Sequence, residues 1–505
     1  LQDDVDHHVK DHLKQFQDRG VTHASVVVLE NSTCAVLAMV GSGDYWDTQG
    51  GAVNGALALR QPGSTLKPFT YALAFEQGAS PGTIVADTPV HYTGAQGGLY
   101  SPRNYEDRFA GPVMMGDALG MSLNVPAIRV ARMVGIPNLL STLNQAGFRS
   151  LQREASHYGL GLTLGNGEVT LLELAQSYAM FARGGLSCVA HHHPNHHPGH
   201  AEPTTRVFSP AVVELTDRIL KDERLRIEAF GPNNALILNR PVAVKTGTSS
   251  DWRDNWAIGY TDTYTIAVWM GDTKGRPMQS LSGVSGAGPL FRRVLDSLPP
   301  ETPVWNKSEP NQPTVKAQVV TAPLCALSGK HPGPSCGHVR HTPMRPESIR
   351  SLETCDWHTT VRVDTRNELL AGPTCDEKHV REKVVTSLPP AYTQWQAATR
   401  HAAPPTEYSP HCPKSTGSMS RPSVTFPRND ERFALDPGLS AESQRIQLSA
   451  DVTSSVKEVT WFVDGQEVGK ARWPYALTWQ LSPGPHTVEV AVSGKRSKGV
   501  SFLVL

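Results

Sequence analysis

The sequence predicts a multidomain chain of the α+β type. An antiparallel sheet flanked by helices comes first, then a cysteine-containing, Pro-rich segment, then an immunoglobulin-like β-sandwich. Three observations predict this. At 505 residues the chain is too long for one core, so two or three domains are expected. Strand-like runs near the N-terminus and around Val242 to Met270 are separated by amphipathic helical stretches, the pattern of helices packed on a sheet. Beyond Val424, short β runs recur between turn signals. The expected boundaries are 1–300, 301–420 and 421–505.

Taken in order, Val5, Val9, Leu13 and Phe16 repeat near the helical period, and Gly20 ends that helix. Ser25 to Glu30 and Cys34 to Val40 read as a hairpin around Asn31-Ser32-Thr33, with Cys34 a packed small apolar residue. Pro62-Gly63 signals a turn, and Thr65 to Gln77 reads as a helix stopped by Gly78. Val113 to Leu119 is expected to be helical, with Ser122-Leu123-Asn124 in the loop after it. Thr170 to Arg183 forms another amphipathic helix, ended by Gly184-Gly185. Val242 to Val244 runs as a strand into Lys245-Thr246-Gly247, and Trp256 to Tyr260 and Tyr264 to Met270 supply two more. Pro299 to Pro313 is a linker. The C-terminal strands are Val424 to Phe426, Ile446 to Val452, Val459 to Val463, Tyr475 to Leu481, His486 to Ser493 and Val500 to Leu505.

Composition excludes several functions. Lys plus Arg and Asp plus Glu each total 47, so no basic excess points to nucleic acid or to an anionic membrane surface. No run of eighteen apolar residues suggests a bilayer span. The chain opens at Leu1 without a signal-peptide pattern and reads as a mature or trimmed fragment. His191, His192, His193, His196, His197 and His200 crowd one Pro-containing stretch. Imidazoles bind transition metals, but no carboxylate or cysteine set completes a site there, so the stretch reads as a surface loop. No cofactor and no metal are expected.

The chemistry is carried by three short motifs. Ser64-Thr65-Leu66-Lys67 places a serine at the mouth of a helix with a lysine about one turn on, on the same face. The positive end of the helix dipole disfavours the protonated amine, which makes Lys67 a base for Ser64. The spacing alone proves little, since Ser454-Ser455-Val456-Lys457 repeats it before a β-strand. Ser122-Leu123-Asn124 is the only Ser-x-Asn and Lys245-Thr246-Gly247 the only Lys-Thr-Gly. Ser-x-x-Lys, Ser-x-Asn and Lys-Thr-Gly in that order are shared by penicillin-binding proteins and class A β-lactamases.

With these motifs the chain resembles the transpeptidase half of a bifunctional (class A) penicillin-binding protein, of the 1C type. The resemblance covers nearly the whole chain and includes the C-terminal β-domain. It implies a serine D,D-transpeptidase in which Ser64 forms an acyl-enzyme with peptidoglycan stem peptides ending in D-Ala-D-Ala, and which β-lactams also acylate. It assigns Lys67 as base, Ser122 as proton relay between Lys67 and Lys245, and Asn124 as a ligand of both substrate and Lys67. Lys245, Thr246 and Thr248 face the substrate carboxylate, and Gly247 lets a peptide lie against the strand. The backbone N–H groups of Ser64 and Thr248 form the oxyanion hole. The resemblance further implies a periplasmic location, an inner-membrane anchor and a glycosyltransferase domain in the full-length protein, and a periplasmic partner for the β-domain. A D,D-carboxypeptidase or a non-catalytic cell-wall scaffold shares these features. A β-lactamase needs a deacylating carboxylate, for which Glu168 and Glu173 at a helix start are the nearest candidates.

Five of seven cysteines fall between Cys325 and Cys412, without a Cys-x-x-Cys pair. Clustering of this kind fits disulfides in an oxidising compartment. His358 to Asp364 and Glu368 to Gly372 flank a turn and read as a hairpin, so a Cys355–Cys375 disulfide is expected across its open end. Cys325 and Cys336 are a second expected pair, with Cys412 left as a thiol.

Overall fold

The computed structural model describes residues 1–93, 99–192, 204–299, 319–399, 403–414, 422–435, 444–452, 456–492 and 494–505. The expectations placed on His193, His196, His197, His200, Ser454 and Ser455, and on most of the 299–313 linker, lie outside these residues. The chain divides into two compact units. One comprises 1–91, 101–357 and 388–401, the other 92–100, 358–387 and 402–505.

The first unit is built on a five-stranded antiparallel sheet of β1 (His23–Glu30), β2 (Val36–Val40), β3 (Ala243–Thr248), β4 (Asp254–Tyr260) and β5 (Tyr264–Gly271), in spatial order β2-β1-β5-β4-β3. Alternate residues of a strand face opposite sides, and here both sides are covered. Val27, Leu29, Trp256, Ile258 and Trp269 join one core with α2 (Lys67–Glu76) and α5 (Leu171–Ala182). Val26, Val28, Ala257, Val268 and Met270 join another with α1 (Gln2–Leu13) and α6 (Ala287–Ser297). The strands therefore read as continuous apolar runs rather than alternating ones. Helix α2 is buried from Lys67 to Phe75, which explains its all-round apolar composition. A disulfide joins Cys34 to Cys188 across 154 residues, so Cys34 is a cross-link and not merely a packed small residue.

Helix α3 spans Met115–Gly120 and α4 spans Asn124–Val134. Val113 and Met114, expected to be helical, instead end the strand Gly111–Met114, which pairs antiparallel with Ile84–Asp87. The β-branched Val85 and Val113 sit opposite each other in that ladder, and pairing overrides the helical period. Strands Val320–Cys325 and Val339–Met344 pair in the same unit, where Ala322, Leu324 and Met344 bury against Met114 and Ile84.

In the second unit, His358–Asp364 pairs along its length with Val380–Thr386. The expected turn exists, with Asp364 N–H donating to Leu369 O and Glu368 N–H to Asp364 O, and the pairing carries on through Val363 and Leu370 to Ala371 N–H and Arg362 O, but at Gly372 the chain leaves it before reaching Cys375. The Cys355–Cys375 disulfide is corrected accordingly. Cys375 bonds to Cys412, while Cys325, Cys336 and Cys355 are thiols. The β-rich C-terminal part has two sheets around Leu448, Trp461, Val488, Val490 and Phe502. It adds three strands the sequence did not reveal, Glu431–Phe433, Gln466–Ala471 and the two-residue Lys495–Arg496. Gln466–Ala471 is an edge strand with largely exposed polar side chains, so it lacks the apolar alternation that marks a strand.

Candidate active site

The nucleophile candidate stands on a tight turn rather than within a regular helix. Gly63 to Leu66 form a 3₁₀ turn that feeds directly into α2 at Lys67. Gly63 has φ +57°, and a Cβ there would lie 2.5 Å from Thr248 O and 2.9 Å from Thr248 N. Only glycine allows that conformation and that approach together. From the other side, a Cβ on Gly247 would lie 2.4 Å from Pro62 O. The bare backbone of Gly247 thus admits the nucleophile turn against β3, a different use from the peptide contact expected of it. Trp256 Nε1 donates to Gln61 O at 2.8 Å, and Tyr178 Oη donates to Thr65 O at 2.7 Å. Both side chains come from the fully buried core, so the turn is fixed by packing as well as by its own bonds.

Ser122 is set by the way α3 ends. Leu123 N–H donates back to Ala118 O and Ser122 N–H to Leu119 O, the paired bonds of a Schellman cap. That motif requires a left-handed residue, usually glycine, and here it is Ser122 with φ +60°. A serine at this place carries a backbone cost that glycine would not. In return it points its hydroxyl between two lysines. Lys245 Nζ donates to Ser122 Oγ at 2.7 Å, and Lys67 Nζ lies 3.4 Å from the same oxygen.

Lys67 Nζ also donates to Ser122 O at 2.5 Å and to Asn124 Oδ1 at 2.7 Å. A neutral amine has two hydrogens and one lone pair. The two short bonds use both hydrogens and leave the lone pair. Burial is the first cause that pushes the Lys67 pKa well below its ordinary value, and the charge of Lys245 is the second. Burial likewise brings Lys245 down to about 7. Among the described residues neither amine has a carboxylate partner. The arrangement can accept a proton from a nearby hydroxyl and pass one along Ser122.

Sequence reasoning missed the support behind Asn124. Asn104 Oδ1 accepts from Asn124 N–H at 2.9 Å and from Val125 N–H at 3.2 Å, so it caps α4 from a distant loop. Its Nδ2 donates to both Asp87 oxygens, at 2.8 and 2.9 Å, and Asp87 also accepts from Ala110 N–H at 2.7 Å. Asp87 is fully buried, and that burial raises its pKa against the opposing pull of the Ala110 N–H and Asn104. No motif spacing marks a single Asp or Asn, so nothing in the sequence could have singled these out.

β3 is the edge of the sheet beyond β4, and among the described residues no strand pairs with its outer side. On it, Thr248 Oγ1 accepts from Gly283 N–H at 3.0 Å and keeps its own hydrogen to donate. Thr246 O accepts from Lys245 Nζ at 2.9 Å. Glu173 is fully engaged. It closes a capping box with Thr170 and accepts from Ser150 N–H at 2.8 Å and Ser150 Oγ at 2.7 Å, while Glu168 is exposed.

Known proteins share this organisation. The family described as penicillin binding protein transpeptidase domain matches residues 24–296, and the penicillin-binding protein C-terminus family matches residues 414–502. Penicillin-binding protein 1C of Escherichia coli (strain K12) is 33% identical over 276 residues, 54% of this chain and 34% of that protein. Penicillin-binding protein 1A of Neisseria meningitidis is 31% identical over 289 residues, 50% of this chain and 33% of that protein. The chain therefore spans about a third of the length of these curated relatives. The crystal structure of penicillin-binding protein 1A from Haemophilus influenzae superposes with a TM-score of 0.51 at 23% identity, covering 66% of this chain and 54% of that one. That likeness concerns the fold.

Proposed function

The chain belongs to the penicillin-binding protein transpeptidase family, and on that premise we propose that it is a serine D,D-transpeptidase acting on peptidoglycan stem peptides and acylated by β-lactams. The observation that carries the reading is the Lys67–Ser122–Lys245 chain, two buried amines bridged by one hydroxyl beside the Ser64 turn. Ser64 Oγ attacks the carbonyl carbon between the terminal D-alanines as Lys67 Nζ takes its proton. The tetrahedral oxyanion is stabilised by the Ser64 and Thr248 N–H groups, each such donor being worth about 3–4 kcal/mol. The C–N bond then breaks, and the leaving D-alanine amine receives a proton relayed through Ser122. An amine from a second stem peptide attacks the ester, loses its proton to the site, and returns Ser64 to its hydroxyl form. Lys245, with the hydroxyls of Thr246 and Thr248, holds the substrate carboxylate, and the peptide adds along the open edge of β3.

Water as the acceptor makes the same site a D,D-carboxypeptidase. Efficient hydrolysis of the acyl-enzyme needs a carboxylate base, and the engagement of Glu173 in the α5 cap favours transpeptidation over β-lactamase chemistry. By analogy with the relatives, the whole protein is periplasmic and membrane-anchored, works with a glycosyltransferase domain, and uses its C-terminal β-domain to bind a periplasmic partner. The test is mass spectrometry of the intact chain after a β-lactam, with and without a D-amino acid acceptor. A stable adduct on Ser64, exchanged by the acceptor faster than by water, is expected. No adduct, or one elsewhere, overturns the reading.

A further inference from the structure

We propose that Cys325, Cys336 and Cys355, completed by His358, form a structural zinc site. The three sulfurs lie within 4.8 Å of one another. Thiolates around a tetrahedral zinc, with Zn–S near 2.3 Å, stand about 3.8 Å apart, so the cluster needs only a small contraction to close on an ion. A disulfide suits it poorly, because three sulfurs leave one over whichever pair is bonded. The chain also places them from three separate turns. Cys325 ends the strand Val320–Cys325, Cys336 lies in the turn that follows Pro332-Gly333-Pro334, and Cys355 follows the helix Pro346–Arg350. Convergence of three turns on one point is not what strand pairing alone would produce.

The surroundings are those of a metal-binding turn. The Cys325 sulfur receives hydrogen bonds from the Ser328 hydroxyl and from the N–H groups of Ser328 and Leu327. Gly333 N–H donates to Cys336 Sγ at 3.3 Å. Such donors orient a thiolate and spread its charge, the part outer groups play around ligating sulfur. Gly329 closes the Cys325 turn with φ +65°, and a Cβ there would lie 2.2 Å from Gly82 O. Cys355 N–H is held by His331 O at 2.8 Å. Cys325 and Cys355 are buried among Trp357, Tyr392, Leu327, Ile84 and Ala86, which exclude water from the sulfurs. His358 stands three residues along the chain from Cys355, a Cys-x-x-His spacing that keeps its imidazole within reach as the fourth ligand. A soft Cys₃His set favours zinc over magnesium or calcium. The ligand gaps of ten, eighteen and two residues escape any search for Cys-x-x-Cys.

The experiment measures metal in the intact chain purified under reducing conditions, then after addition of equimolar Zn²⁺ and dialysis. About one zinc per chain is expected, released on titrating the thiols with a mercurial. Replacement by Co²⁺ should give thiolate-to-cobalt charge transfer, a signal the histidine-rich 191–200 stretch cannot produce. Cys336→Ser, at the half-exposed ligand, and His358→Ala should each weaken zinc retention at least tenfold against a competing chelator. The double variant Cys375→Ser/Cys412→Ser should leave it unchanged. Zinc retention unaffected by Cys336→Ser, cobalt without thiolate charge transfer, iron in place of zinc, or a disulfide between any two of the three cysteines in the untreated protein would each overturn the proposal.

Discussion

Two buried charged sites, one in each unit, are handled in opposite ways. In the second, Asp364 is fully buried, and Arg366 meets it with two bonds of 2.8 Å while Ser409 Oγ donates to it at 2.5 Å. Those bonds, Arg366 first, hold its pKa well below the carboxylate range, so its charged form is the stable one. In the first unit, Lys67 and Lys245 are buried with only hydroxyl, carbonyl and amide oxygens for company, and burial pushes both below the lysine range. One arrangement satisfies a charge, the other withholds a partner from it. Breaking a satisfied pair should cost stability, and breaking an unsatisfied one should cost chemistry.

The largest effect expected is at Ser64. Ser64→Ala should abolish covalent labelling by any β-lactam, read by intact mass, with the melting temperature essentially unchanged. Labelling that persists would move the nucleophile elsewhere. Lys67→Ala comes next, because loss of a general base lowers rates about 10²–10⁴-fold. Its acylation rate should fall by that factor. The part-buried Ser122 O and Asn124 Oδ1 left behind should destabilise the chain by about 1 kcal/mol, a measurable shift that leaves it folded. A loss of stability well beyond this, with acylation kept within a few fold in the chain that stays folded, would reverse the contrast.

A matched pair of aspartates sharpens it. Asp87→Ala removes the acceptor that fixes Asn104 and, through it, Asn124. Misplacement of a catalytic group by about 1 Å costs about 10²-fold, so acylation should drop 10–100-fold with the Ser64 adduct still formed. Asp364→Ala should leave acylation within about twofold while lowering the melting temperature, since it removes the acceptor that Arg366 and Ser409 share. Equal effects of the two on acylation rate would mean that Asp87 is only structural.

The sequence showed the first arrangement far better than the second. Lys67, Ser122, Asn124 and Lys245, which the fold brings into one hydrogen-bonded group, are legible because chemistry demands specific types at short spacings, and the three motifs preserve both. Asp87, at the end of the strand Ile84–Asp87, and Asn104, in a loop, stand seventeen residues apart, and only the folded chain brings them together. The cysteines show the same limit. A local hairpin argument paired Cys355 with Cys375, yet the chain turns away after Ala371, whose N–H still reaches Arg362 O, and Gly372 N–H bonds to Cys412 O instead. Cys34 and Cys188 meet across 154 residues for a reason no local pattern records. The helical reading of Val113 failed because the strand partner Val85 lies in a different part of the chain.

Acidity should separate the buried amines from ordinary lysines. The active form holds one proton on the Lys67–Ser122–Lys245 chain, with Lys67 neutral as base and Lys245 charged. Lowering the pH adds a second proton and silences Lys67. Raising it through about 7 strips Lys245. Acylation should therefore be bell-shaped in pH, each limb approaching tenfold per unit, with apparent values belonging to the pair. Lys245→Arg cannot lose its charge, so its basic limb should vanish even if the maximum rate falls. For folding, an ordinary lysine titrates near 10.4. Between about 7 and that value the unfolded chain binds a proton at Lys245 that the folded chain does not, so the Lys245 contribution to stability rises with pH across this window and is flat below it.

The smallest effect is expected from removing the β-rich C-terminus. Every residue assigned to the chemistry lies in the first unit, and the C-terminal sheets carry a core of their own around Trp461, Val488, Val490 and Phe502. A chain ending at Lys414 keeps the Cys375–Cys412 disulfide, which closes a loop of 37 residues and contributes about 3–4 kcal/mol in the chain-entropy account. What it loses is a cluster of aliphatic and aromatic side chains whose burial stabilises those sheets and nothing in the Lys67–Ser122–Lys245 chain. Its β-lactam acylation rate should therefore match the full chain within about twofold, because no catalytic contact of the size that moves rates further is removed. The excised 415–505 segment should melt cooperatively by itself, as a domain with its own core does. A tenfold loss of acylation in the shortened chain, with its melting temperature preserved, would mean that the C-terminal sheets shape the catalytic cleft, and the division of labour between the two units would have to be abandoned.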